Sequence, residues 1–484
     1  MKKYLILIIT LIASVLLVSC NDNVGQKPKK IQLTYADWGD KEFNQKMIDA
    51  FMAENENIVV NIVDIGGSGA EFTGNLIDSA QLNILPDVFA IDNVPTIVSA
   101  GLALDVQEYW EKDADAKLVY EAIAETAVYN GKRYAVPSYQ FLKGIFINLT
   151  IMDKLNLQTV SGKYRMDADG YPVKDWKVSE MVELAKAVTN PTVGNKDTYR
   201  SGLALWFGSA DFQQVWPMLH DESLRYDTWD GENFNFENQL WIDAMKAKVD
   251  LMDNVKYPHV TSNFPADEVT QAFLGELGWM IAEGYSVMAI DGSWNFGAVT
   301  TAHSNGQELG FWPYPGGDAG QFPPTILDYQ VVSSQTRYPE EAYKLAKWMT
   351  YGKAGWMTRL DLLEALRAEQ IANEESITYL DRFPIANYPE VWDRVNDFLH
   401  DEEGNELIAG MDAILANIDN SRPDLDKWLA GYKDFWGWVS EEENPYNWSS
   451  LLTAGPDAVP TYAKEWNEKA NELVHDAIEN LGKD

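Results

Sequence analysis

Cysteine is almost absent from this 484-residue chain: the single one is Cys20. An intramolecular disulfide and a thiolate zinc site are therefore both excluded, and stability must come from packing. Histidine is nearly as scarce. His220, His259, His303, His400 and His475 form neither an H-E-x-x-H nor an H-x-x-E-H pair, so a zinc protease is unsupported. Positive charge is in deficit, with 38 Lys and Arg against 74 Asp and Glu and a net charge of -36. Such a field repels nucleic acid and anionic lipid headgroups. Phosphate-cradling and nucleophile-elbow patterns are missing too, because Ala70 stands where Gly66-Gly67-Ser68-Gly69 would need another glycine. Asp167-Ala168-Asp169-Gly170 lacks the spacing of a calcium loop, and Asp227-Thr228-Trp229-Asp230-Gly231 is no better; both read as turns. No solenoid repeat is found, and no metal or cofactor is expected.

What is present begins with a leader. Met1, Lys2 and Lys3 precede an apolar stretch from Tyr4 to Val18, which is short for a membrane span. The run Leu17-Val18-Ser19-Cys20 resembles a bacterial lipobox. That resemblance implies a signal peptide over 1–19 and lipidation of the Cys20 thiol. Acyl chains contribute about 0.8 kcal/mol per buried CH₂, so the mature protein is expected on the extracytoplasmic face of the cell membrane, held by lipid. Residues 20–30 are polar and aperiodic and read as a tether. Aromatic side chains are abundant, with 18 Trp and 23 Tyr. In an exported protein, amphipathic rings in such number favour a surface that stacks on sugars.

The body of the chain alternates strand and helix signals. Residues 31–35, 58–63 and 86–91 read as strands, and 43–55 and 71–82 as helices. Such alternation predicts an α/β fold with a parallel sheet covered on both faces. Asn130-Gly131 predicts a hairpin turn. A strand is expected at 144–148, an inserted hairpin at 162–176 and a helix at 179–187 capped by Ser179. Residues 286–290 read as a buried strand, and 339–349, 360–372 and 466–481 as helices within a mostly helical C-terminal region.

Strand ends carry the candidate site. Trp38, Asp40 and Lys41 follow the first strand, Asp92 and Asn93 the third. Tyr139, Gln140 and Phe141 follow Val136-Pro137, and Asp291 and Trp294 follow the strand at 286–290. Trp206 and Phe212 are further aromatic candidates. In open α/β sheets ligands lie beyond the carboxyl ends of strands. Rings that stack on a sugar face, set among amides and carboxylates that bond its hydroxyls, fit one carbohydrate cleft. A glycoside hydrolase would need two carboxylates at a defined separation, which 74 acidic residues cannot single out. That reading, and a solute-binding protein for a peptide or polyamine, stay open on the residues alone.

Several stretches together resemble the bacterial extracellular solute-binding proteins of the carbohydrate-uptake class, relatives of maltose-binding protein. They are YADWGDKEFNQKMIDAFMAENENIVVNI, PDVFAIDN, GLALDV, NGKRYAVPSYQFLKGIFINLTIMDKLNL, MAIDGSWNFG and PEEAYKLAKWMT, in that order. The resemblance implies two α/β lobes of the type II periplasmic-binding-protein kind joined by a crossed hinge. By position it implies an N-lobe of 31–140 and 296–329 and a C-lobe of 141–295 and 330–484. It also implies a mono- or oligosaccharide ligand delivered to an ABC transporter permease by a monomer without enzymatic activity. Asp40, Lys41, Asp92 and Asn93 match polar ligand contacts, although maltose-binding protein has arginine where Asn93 stands. Phe141 falls where that protein has a binding carboxylate. Trp294 matches a stacking tryptophan, and Phe212 roughly matches another stacking ring.

Overall fold

A computed structural model describes residues 30–157, 162–191, 198–206, 216–253, 255–264 and 280–481. The strands that build the hinge and its two flanking sheets are β1 (Ile31–Ala36), β2 (Ile58–Ile62), β3 (Val88–Ile91), β4 (Val136–Asn148), β5 (Ser201–Trp206), β6 (Thr261–Phe264), β7 (Ser286–Gly292), β8 (Leu309–Pro313), β9 (Pro324–Val332) and β10 (Arg422–Pro423). The order across the molecule is β2-β1-β3-β9-β4-β7-β5-β6, with β8 also on β4 and β10 on β9. β1 pairs in parallel with β2 and β3, whereas β9 is antiparallel to both β3 and β4.

Strand β4 explains the two lobes. Its first half pairs with β9, from Gln330↔Val136 to Thr325↔Leu142. Its second half pairs with β7 and β8, as in Ile145↔Ile290 and Phe146↔Phe311. One extended run thus belongs to both sheets and forms the hinge between them. The chain also passes between the sheets at 314–323 and again near β10. The Asn130-Gly131 turn closes a two-strand hairpin with Val128 opposite Arg133.

Helices cover the sheets where their periodicity predicts. They include α1 (Lys41–Glu54), α2 (Gly69–Gln81), α3 (Val178–Val188), α4 (Gln239–Leu251), α5 (Gly297–Ser304), α6 (Pro339–Met349), α7 (Lys353–Ala372), α8 (Tyr432–Ser440) and α9 (Val459–Asn480). Asp40 caps α1 by accepting from the amides of Glu42 and Phe43. Helix α6 starts on Pro339, carries Glu340 and Glu341 in its first turn, and buries Ala342, Leu345, Ala346 and Trp348. Helix α3 begins one residue before its expected cap. Its capping position is Lys177, whose amide donates to the Glu180 carboxylate at 2.9 Å, so Ser179 is not the cap. At Gly355 a Cβ would lie 1.9 Å from the Trp348 carbonyl oxygen, which is how closely α7 folds back on α6.

The crossing points correct the expected boundaries. β8 belongs to the second sheet, while β9 continues past residue 330 within the first. Residues 342–418 contribute to the buried cluster on the first sheet, which spreads across the hinge to Phe146, Phe296 and Phe311. The second cluster takes in residues 425–474 from the C-terminal region. Limits at 296 and 330 therefore do not coincide with the sheets. A strand's identity is visible locally, but the partner it joins is a long-range choice.

One buried polar group in the second core stores a pH response. Asp227 is buried and accepts from Trp241 Nε1 at 3.1 Å and Tyr432 Oη at 2.9 Å. It lies in a tight turn, with φ positive at Arg225, Asp227 and Thr228. Burial lifts its carboxyl to about 7, against the pull of those two bonds and of Lys248. The folded state therefore holds this proton more tightly than the unfolded chain, whose carboxyl titrates near about 4. Stability from this group is complete below that value and is lost as pH rises toward 7, at up to about 1.4 kcal/mol per pH unit. Chemical denaturation of the parent and Asp227→Asn between pH 5 and pH 8 checks this. The parent is expected to lose ground to the variant as pH rises, and parallel profiles would contradict it.

Candidate functional site

A cavity of roughly 380 Å³ opens at the carboxyl end of β1, between α1, α7, the loop at 377–382 and the turn after β7. Its polar floor is built from two strands and the turn after β1. Tyr35 on β1 is fully buried and its hydroxyl donates to Asp37 at 2.9 Å. Gln330 on β9 donates through Nε2 to the Tyr35 oxygen at 2.6 Å. Asp37 also accepts from the Gly39 amide at 2.6 Å. Burial raises the Asp37 carboxyl above its usual range, against the bonds from Gly39 and Tyr35.

Aromatic faces form the next layer. Tyr139 and Phe141 project from the same face of β4 and meet edge to face at 5.5 Å. Phe141 in turn meets Trp294 at 6.1 Å and 81°. Trp294 folds back over the strand it follows: a Cβ on Gly292 would come within 2.1 Å of its ring. The guanidinium of Arg382 lies 5.0 Å from the Tyr139 ring centre and 5.5 Å from that of Phe141. The loop carrying Arg382 is fixed by backbone exchange between Gln140 and Phe383, at 3.0 and 2.9 Å.

Beside this cavity the end of β3 meets the C-terminal region. Asp92 pairs with Lys433 at 3.2 Å. Asn93 caps the helix Val94–Ser99 and donates to the Asp426 carbonyl at 3.1 Å. Lys427 Nζ reaches Asp328 on β9 at 2.5 Å. Burial works against the Lys427 ammonium, but Asp328 outweighs it and raises its pKa. Among the described residues, no group of three or more His, Cys, Asp or Glu could hold a metal ion.

The profile of the bacterial extracellular solute-binding proteins matches residues 36–351, about two-thirds of the chain. The chain belongs to that family. Comparison with curated proteins gives no match. Among solved structures, the fold is similar to the sugar-binding protein MalE from Xanthomonas citri, with TM-score 0.61 and 15% identity over 94% of this chain and 100% of that one. A cyclic alpha-maltosyl-1,6-maltose binding protein from Arthrobacter globiformis gives 0.59 and 16%, over 92% and 100%. An ABC substrate-binding protein from Listeria monocytogenes, solved with cycloalternan, gives 0.56 and 16%, over 93% and 98%. At such identities the likeness establishes the two-lobe fold. Family membership makes this a binder of a solute on the extracytoplasmic side.

In this solute-binding protein the predicted residues do not all share one surface. Asp40, Tyr139 and Trp294 line the cavity, and Phe141 stands between the last two. Trp38 is half-buried against Phe72. Lys41 turns outward to Asp64. Asp92 and Asn93 face residues 426–433 rather than the cavity. Gln140 and Asp291 do not line the cavity. Gln140 is fully buried and its side chain donates to the Pro384 carbonyl, while Asp291 bonds the Gly292 amide and the Asn295 side chain. Trp206 closes β5, and Phe212 lies outside the described residues, as do Cys20 and the leader. Asp37, Gln330, Arg359 and Arg382 were missed. Arg359 did leave a signal, since it shares an otherwise apolar helix face with Trp356 and Leu360.

Proposed function

We propose that this protein captures an oligosaccharide between its lobes and hands it to an ABC transporter permease. The row Tyr139–Phe141–Trp294, facing the Tyr35–Asp37–Gln330 network, carries the reading: flat apolar faces oppose fixed donors and acceptors. The sugars bound by structural neighbours, cycloalternan in one and maltotriose in another, support the same class. Ligand that touches both lobes favours the closed state, and closure about β4 is the motion the fold provides. The protein acts as a monomer, without catalysis. Calorimetry against a panel of glycans is expected to give saturable binding with no turnover of the ligand. Hydrolysis of any glycoside, or silence across the whole panel, would reject this reading.

Lipidation of Cys20 would keep the protein at the membrane. Fractionation of cells carrying Cys20→Ser is expected to move it to the soluble extracytoplasmic fraction. Unchanged membrane retention would argue against the anchor.

A further inference from the structure

Two guanidinium groups in the cavity carry donors that its own acceptors do not fully meet, and one buried acceptor there, Gln330 Oε1, also has no partner. Arg359 lines it and is 7% exposed. Its Nη2 donates to the Met349 carbonyl at a long 3.4 Å, and its guanidinium lies 5.4 to 5.7 Å from the rings of Phe43, Trp356 and Tyr139. Among the described residues it has no carboxylate within ion-pair distance. Arg382 has one ion pair among the described residues, to its neighbour Asp381 at 3.9 Å, and its Nε is buried without a partner. Asp37, Asp328 and Asp381 act on Arg382 through space, and Asp40, also on the cavity wall, caps α1, but none of them makes a close two-bond pair with either guanidinium. Asp37 accepts from Gly39 and Tyr35, and Asp328 is held by Lys427.

Buried guanidinium N–H groups without an acceptor are costly, and aromatic faces offset only part of that cost. A neutral sugar hydroxyl donates as well as accepts. A carboxylate only accepts and matches the guanidinium fork with two parallel bonds. We propose that the cleft is specific for an acidic oligosaccharide, whose uronate carboxylate is gripped by Arg382 and Arg359. This rests on the carbohydrate reading above. The protein's net negative field opposes such a ligand at long range, but it is screened within about 8 Å at physiological salt, so recognition is local.

Calorimetry tests this with uronate trisaccharides and the same trisaccharides after reduction of their carboxyl groups. At least one acid form is expected to bind about tenfold or more tighter than its reduced counterpart, as a charge-assisted pair implies. The preference should vanish in Arg382→Gln, whose side chain is one-third exposed, with thermal melting as the check on folding. Equal or tighter binding of every reduced form would overturn the proposal while leaving the carbohydrate reading intact. That comparison needs only the parent protein, so it decides even if the variant misfolds. A preference that survives Arg382→Gln would also overturn it. Binding of neither acidic nor neutral sugars would sink the carbohydrate reading itself.

Discussion

Trp294→Ala is expected to weaken sugar binding by about 30-fold or more while leaving the melting temperature close to that of the parent. The indole is half-buried, packed on one side against Phe141 and on another against the bare backbone of Gly292. Its remaining face is turned to the cavity. A sugar stacked there gains burial of apolar C–H surface together with ring-specific attraction, and central tryptophans of this kind contribute about 2 kcal/mol or more to binding. That energy corresponds to about 30-fold in dissociation constant. Because the ring is not part of either sealed core, truncation removes little packing. Gly292→Ala should act in the same direction, since its methyl group would collide with the indole and push it from position. Trp438→Ala serves as the control, a half-buried ring on α8 outside the cavity. Titration calorimetry paired with thermal melts decides the matter. Parent-like affinity in Trp294→Ala would remove this ring from the site.

Lys427→Met is expected to cost about 3 kcal/mol of stability, the low end of the range for breaking a buried ion pair by removing one partner. Lys427 and Asp328 are mostly enclosed, with side-chain exposures of 21% and 14%. Asp328 lies on β9, a hinge strand, and Lys427 follows the crossing at β10. Loss of the ammonium leaves the aspartate partly desolvated without its ion-pair partner. The double variant Lys427→Met/Asp328→Leu should recover most of the loss, because the stranded charge is gone and an apolar pair fills the same space. Urea denaturation of parent, single and double variants measures this. A single variant within about 0.5 kcal/mol of the parent, the usual effect of an unremarkable surface change, would show that the pair contributes little.

The two results concern different kinds of legibility. Trp294 was visible in the sequence because it directly follows a buried strand, and the carboxyl end of such a strand is where α/β sheets expose ligand-facing groups. Asp40 was visible for the same reason, whereas Tyr139, expected past a strand end at Pro137, lies inside β4, which runs on to Asn148. Lys427 and Asp328 were not visible, because 99 residues separate them and nothing local marks either as paired. Gln140 and Asp291 show the opposite case, polar residues expected at the site that bond within the fold instead. Their polar character and their expected place past strand ends suggested ligand contacts, but both lie within strands, and the loop at 383–384 and the turn at 292–295 take those same groups for backbone and side-chain bonds. A polar residue at a strand end is claimed first by whatever unpaired amide or carbonyl the fold brings beside it.

By itself the sequence determined the alternation of strand and helix, since periodicity and caps act over a few neighbouring residues. It also supplied the apolar leader ending at the lone cysteine, and the rings placed just past the strands. Only the tertiary structure decided which sheet each late strand joins and where the lobes divide. It alone brought residues 37, 139, 330, 359 and 382 around one cavity. The reason is physical: local torsion and amphipathicity can be read from adjacent residues, whereas the balance of donors and acceptors in a buried space depends on which distant segments the chain crossing brings together.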